Sequence, residues 1–177
     1  QAPTLYTAIQ RAPDVPKAFT LLQNPFLLGS GKSDTDHLPN LCGVYMVPPV
    51  EEIAGVIART KPAIRTIGTL YQTGSEESEL RRDELARAAK KQGIVLIDEG
   101  YESPAEIMAA ATALMSRKPN AIVHLFDPAQ DVTFPALMQA ADAAKKPVFS
   151  TVYNMEKLGA CCACSTDRDA TGRQFAA

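Results

Sequence analysis

The segment Thr66-Ile67-Gly68-Thr69-Leu70-Tyr71-Gln72-Thr73-Gly74-Ser75-Glu76-Glu77-Ser78 carries the clearest change of pattern in the chain. Thr66 to Leu70 is β-branched or apolar and reads as a short strand. Ser75 then opens a helical pattern to about Gln92, with Glu76, Glu77 and Glu79 early, Arg87, Lys90 and Lys91 late, and Gly93 just past the end. That order places negative charge at the positive end of the helix dipole and positive charge at the other end. A strand that runs through a polar turn into a helix is the first half of a βαβ unit.

The alternation continues downstream. Further strands are expected at Ile94 to Ile97, Ala121 to Leu125, Val148 to Thr151 and Ala160 to Cys164. Between them, Ser103-Pro104-Ala105-Glu106 combines an N-cap serine, proline at the first helical position and a Glu that can reach back. Ile107, Met108, Ala111, Leu114 and Met115 follow at helical spacing. A third helix has Asp131 as candidate cap, Phe134, Leu137, Met138 and Ala141 as its buried stripe, and Pro147 as its stop. Right-handed crossovers then put helices on both faces of a five-stranded parallel sheet, so the fold class is α/β and doubly wound.

Upstream the chain is built differently: eight of its 13 prolines fall in the first 62 residues. Pro49 to Thr60 reads as an amphipathic helix through Val50, Ile53, Ala54 and Ile57, and ends at Lys61-Pro62. Strands are expected at Leu5 to Ile9 and Leu41 to Met46, flanking a turn-rich stretch from Pro25 to Pro39. The expected organisation is part of one lobe at residues 1–61 and a second, Rossmann-like α/β lobe at 62–177.

Of the 177 residues 46% are hydrophobic and 21% charged, with a net charge of -2, so no long-range field draws in a nucleic acid. No run approaches the roughly 18 apolar residues of a membrane span. The start, Gln1-Ala2-Pro3-Thr4, has no basic segment followed by an apolar run, so no signal peptide is expected within these residues. Cys161 and Cys164 have the spacing of a redox or zinc pair, but the cluster with Cys162 sits in an apparent strand far from His37 and His124, and small core residues are the expectation. Gly29-Ser30-Gly31-Lys32-Ser33 ends like a phosphate loop, yet Phe26 stands where that motif needs Gly, and the stretch is expected to be a mobile surface loop. No Gly-x-Gly-x-x-Gly is present. His124 is expected to be hydrogen-bonded within its strand and no part of a catalytic triad. No catalytic residue, metal site or cofactor is expected.

Ligands of open α/β sheets bind beyond the carboxyl ends of the strands. The polar residues expected there are Tyr71, Gln72, Thr73 and Ser75, then Tyr101, Asp127, Tyr153 with Asn154, and Ser165 to Asp167. Two carboxylates, several hydroxyls and three tyrosines suit a small polar ligand with an apolar portion.

On these residues the chain resembles the substrate-binding proteins of ABC importers related to the tryptophan and phenylalanine binders, which have the type I periplasmic binding protein fold. The resemblance is strongest at Thr66 to Tyr71, at Ala121 to Leu137 around Asp127, and at Gly159 to Gly172. Thr4 to Ile9 is similar to the family's first-lobe strand and Asn40 to Gly43 to its Asn-x-Thr-Gly. Departures are Gln72 to Glu77, where the family has Asn-Pro-Ser-Glu-Ala-Asn, Cys42 in place of Thr, and Pro128 in place of Asn. The resemblance implies an interlobe cleft, a small-molecule ligand, a membrane permease as partner and a periplasmic or extracytoplasmic location. It implies ligand-binding roles for Thr7, Asn40, Tyr71, Gln72, Ser75, Ser78, Tyr101, Asp127, Tyr153, Asn154 and Asp167, with Asp127 pairing with a ligand cation or hydroxyl. The alternatives are a ligand-sensing domain of a signalling protein, or a flavodoxin-like or Rossmann-like enzyme using Asp127 and Asp167.

Overall fold

The computed structural model describes residues 2–126 and 130–176. The chain forms two compact units: Gln1–Pro48 with Thr166–Ala177, and Pro49–Ser165. The cuts therefore fall at 48/49 and 165/166, where the sequence suggests a single boundary at 61/62.

The smaller unit begins with α1 (Ala2–Arg11) and continues through β1 (Lys17–Leu22), a 3-10 turn at Phe26–Leu28, β2 (Gly31–Ser33), β3 (Asp36–His37) and β4 (Leu41–Tyr45). The expected strand at Leu5 to Ile9 is thus a helix. Leu5 and Ile9 are one helical turn apart and both buried, whereas Tyr6 and Thr7 are exposed. Spacing of four on one side of the chain satisfies a helix as well as alternation satisfies a strand. β1 and β4 pair in parallel, Lys17 opposite Leu41. Gly29 to Ser33 is no open loop: Gly31–Ser33 pairs antiparallel with Asp36–His37 as a small hairpin. Leu5, Ile9, Leu22 and Leu41 form the core of this unit, with Phe19, Leu28 and Leu38 against it.

The larger unit runs α2 (Val50–Ala58), β5 (Thr66–Gln72), α3 (Glu76–Lys91), β6 (Val95–Tyr101), α4 (Ile107–Ser116), β7 (Ala121–His124), α5 (Gln130–Ala143), β8 (Val148–Ser150) and β9 (Cys162–Ala163). Its five-stranded sheet is parallel throughout, in the order β6-β5-β7-β8-β9. One face is covered by α4 and α5 through Ile107, Ala111, Leu114, Phe134, Leu137 and Ala141. The other is covered by α2 and α3 through Val50, Ile53, Ile57, Leu85 and Ala89. This second cluster explains why α2 belongs with the sheet: its three large apolar side chains share a core with Ile67, Val123 and Phe149. Inside the segment 66–78, a Cβ on Gly68 would stand 3.0 Å from Ile122 and 3.1 Å from Leu114, so glycine lets α4 lie close on β5.

Capping follows the sequence signals in part. Ser75 caps α3 by accepting from the Ser78 amide at 3.3 Å. Ser103 precedes a 3-10 turn (Pro104–Glu106) before α4 starts. Glu106 does reach back, accepting from the Glu102 amide at 3.0 Å and the Ser103 hydroxyl at 3.2 Å. Asp131 lies within the first turn of α5. After β9 the chain returns to the smaller unit with α6 (Arg168–Ala176), and the Thr166 hydroxyl donates to the Val47 carbonyl at 3.0 Å.

Candidate functional site

The carboxyl ends of β5, β7 and β8 lie on three consecutive strands of the larger unit. At a strand spacing of about 4.8 Å they span about 10 Å, the width of a small organic molecule. β5 ends in a tight polar loop. The Gln72 amide donates to the Ser78 hydroxyl at 2.9 Å, the Gly74 amide to a Glu79 carboxylate oxygen at 2.9 Å, and the Ser75 amide to the Gln72 carbonyl at 3.4 Å. The Gln72 and Gly74 amides are therefore engaged by side chains of α3, and the Ser78 amide of its first turn by the Ser75 hydroxyl. Three glutamates also stand in the first helical turn. One of them, Glu77, has its carboxyl pushed up by burial, an effect that the Arg81 charge partly offsets. A negative ligand group at this helix terminus would meet that acidic turn, which offsets the attraction of the helix dipole.

The three expected tyrosines do not form one wall. Parallel pairing puts Tyr71 opposite Gly100 and Gln72 opposite Tyr101, so the pleat sends Tyr71 and Tyr101 to opposite faces. Tyr71 turns toward α3, where the Arg82 guanidinium lies 4.5 Å from its ring centroid. Arg82 is held there by Asp98 at 2.9 Å and Asp83 at 2.7 Å. A Cβ on Gly100 would come within 3.3 Å of the outer end of the Tyr71 ring and 2.6 Å of Thr73. Gly100 and Arg82 thus fix the Tyr71 ring, and spacing along the sequence carries no signal for either contact. Tyr101 is 1% exposed and belongs to the α4/α5 core, which removes it from the rim. Tyr153 alone of the three is exposed, at 46%.

Asp127, three residues beyond the end of β7, lies outside the described residues. Beneath the rim, His124 closes β7 with 2% exposure; its Nδ1 is 3.0 Å from the Ser150 hydroxyl of β8, and its ring packs 4.9 Å from Phe134. Burial lowers its pKa from 6.5 to about 4, so the ring is neutral at physiological pH. Asn154 is half-buried with φ 64°, and its side chain makes no capping bond to the 3-10 turn that follows.

The remaining expected residues serve the smaller unit. Thr7 is an exposed position of α1. Asn40 donates through its side-chain amide to the carbonyls of Pro13 and Val15, tying the α1–β1 loop to the start of β4. Asp167 caps α6, accepting from the amides of Asp169 at 2.9 Å and Ala170 at 3.0 Å; the Ala170 amide is the main reason its carboxyl is held below the usual range. The cysteines are less buried than expected. Cys161 is exposed, and Cys162 and Cys164 are half-buried against the α2/α3 core. Among the described residues no three His, Cys, Asp or Glu side chains come together as a metal site.

A doubly wound parallel sheet in this strand order, with its polar loops at the carboxyl ends, is an α/β domain of the type I periplasmic binding protein kind. The chain belongs to the ABC transporter substrate binding protein family, whose model matches residues 4–177. A tyrosine-binding protein of Clostridioides difficile strain R20291 is 22% identical over 173 residues, covering 96% of this chain and 49% of the relative. A Streptococcus pneumoniae ABC domain in complex with L-Trp superposes with a TM-score of 0.82 at 23% identity, covering 99% of this chain and 62% of that one. A conserved domain protein from Vibrio cholerae O1 biovar El Tor also gives 0.82, at 25% identity, covering 99% and 59%. The chain thus spans about half the length of the curated relative it matches.

Proposed function

We propose that the chain acts as the solute-binding component of an ABC-type importer, outside the cytoplasm and in partnership with a membrane permease, and that its solute is small and polar or amino-acid-like. The observation that carries this reading is the polar end of three adjacent strands, with Gln72 as the last residue of β5, Asp127 following β7 in sequence, and Tyr153 with Asn154 after β8. Family membership and two relatives named for aromatic amino acids support it. The chemistry is reversible binding with no bond made or broken, and the relatives are substrate-binding proteins. In this role Asp127 pairs with a cationic or hydroxyl group, Tyr153 provides an apolar surface, and the amides of Gln72 and Asn154 orient the solute. Tyr101 has no part in it, because its side chain is in the core.

The test has two stages. Native mass spectrometry of the undenatured protein identifies the solute that co-purifies. Calorimetry then compares wild type with Asp127→Ala, which is expected to bind at least about tenfold more weakly, equivalent to about 1.4 kcal/mol. Equal affinity in a folded variant rejects the assignment of Asp127.

A further inference from the structure

The smaller unit contains a cavity of about 500 Å³ that the rim of the larger unit does not involve. That volume is in the range of small-molecule sites. Its walls include three aromatic rings, Phe19 of β1, Phe26 of the 3-10 turn and Tyr45 at the end of β4. Phe26 and Tyr45 meet edge to face, with centroids 5.6 Å apart at 76°. Its polar lining carries one carboxylate, Asp34. The Asp34 carboxylate receives the Tyr45 hydroxyl at 3.1 Å, and its other oxygen stands 3.4 Å from the same group. His37 donates through Nδ1 to the Leu38 carbonyl at 2.9 Å. Ser30 is 2% exposed, and its hydroxyl has no hydrogen-bond partner among the described residues. A buried hydroxyl left in that state costs stability. Among the described residues no Lys or Arg lines the cavity.

From this combination we infer that the cavity of the smaller unit binds a cationic amine with an aromatic or apolar body. The body packs against Phe19, Phe26 and Tyr45, whose ring faces favour a nearby cation. The ammonium donates to Asp34, and a donor on the ligand satisfies the Ser30 hydroxyl. Because the described lining carries a carboxylate and no Lys or Arg, the same body bearing its own carboxylate is disfavoured. The tyrosine named for one relative is such a molecule, so the cavity distinguishes an amine from an amino acid. The inference concerns the smaller unit alone and stands apart from the solute reading of the larger one. The negative character of the site is also seen at Tyr45, whose hydroxyl pKa is raised by burial and then by its hydrogen bond to Asp34.

Tyramine and tyrosine form the test pair, since they differ only by the carboxylate. Calorimetry on the full chain is expected to show saturable binding of tyramine at least about tenfold tighter than any binding of tyrosine. Asp34→Asn is expected to weaken tyramine about tenfold, or about 1.4 kcal/mol. Ser30→Ala is expected to weaken it about threefold while thermal stability stays level or rises, a pairing that a purely structural serine would not produce. Amide shifts in a ¹⁵N spectrum are expected at residues of β1, the hairpin and β4. The inference is overturned if tyramine does not bind, if tyrosine binds equally well, if Asp34→Asn leaves the affinity unchanged in a folded protein, or if the shifts fall in the larger unit.

Discussion

Tyr101→Ala is expected to destabilise the larger unit by about 3 to 5 kcal/mol, the range for truncating a fully buried aromatic ring. Its side chain is 1% exposed and packs in one cluster with Leu70, Ile107, Ala111, Leu114 and Ile122. Removing the ring empties the junction between the end of β6 and the start of α4, where the Thr73 amide and hydroxyl both donate to the Tyr101 carbonyl, at 2.9 and 3.1 Å. Those bonds use the backbone and persist in the variant, so the loss is one of packing. Tyr153→Ala, at an exposed position, is expected to cost less than about 0.5 kcal/mol. Urea unfolding of both variants checks the contrast. A loss below about 1 kcal/mol for Tyr101→Ala in a two-state transition would show that the ring is not part of the core.

This contrast shows where sequence reading stops. A strand buried on both faces is written as a continuous apolar run, and Ala121 to His124, buried at every position, was legible for that reason. The segment 66–78 was legible because a β-branched run, a polar turn and an acid-first helix follow one another within 26 residues, from Thr66 to Lys91. The face on which Tyr71 and Tyr101 emerge depends on register, and register is a relation between strands that spacing along one strand does not encode. Following a strand therefore did not place a tyrosine on the rim. The same limit hides Gly100 and Arg82, which fix Tyr71 from β6 and α3.

The smaller unit was harder to read for a related reason. Its elements are short, and Leu5-Tyr6-Thr7-Ala8-Ile9 satisfies a strand by composition and a helix by the spacing of its two buried residues. Tertiary contact with Leu22 and Leu41 settles the choice. Asn40 and Asp167 are expected from the sequence to bind ligand, yet their polar atoms tie a loop and cap a helix. An Asx residue at the end of an element serves such local roles whether or not a ligand is near.

His124 gives the second large expectation, a loss of stability on mild acidification. The imidazole is buried between Ser150 and Phe134, and burial holds its pKa at about 4, against 6.5 for the ordinary group. The folded pKa is depressed, so the unfolded chain takes up the proton first as pH falls below 6.5. Stability is then full above about pH 6.5, declines between 6.5 and about 4, and levels off below, for a total of about 3 kcal/mol at about 1.4 kcal/mol per pH unit. By pH 5 about 2 kcal/mol should be gone. Asp167, whose carboxyl is held below the usual range by the Ala170 amide, also contributes stability that is lost in acid, so the slope of wild type alone is insufficient. His124→Asn removes the titrating ring and retains a group able to reach the Ser150 hydroxyl. It is expected to be less stable than wild type at pH 7, because the contact with Phe134 is lost. Between pH 7 and pH 5 it is expected to lose about 2 kcal/mol less than wild type does. Denaturant unfolding of the two proteins at pH 7, 6 and 5 measures that difference directly, and parallel pH dependences would mean that the buried histidine is not the group that responds.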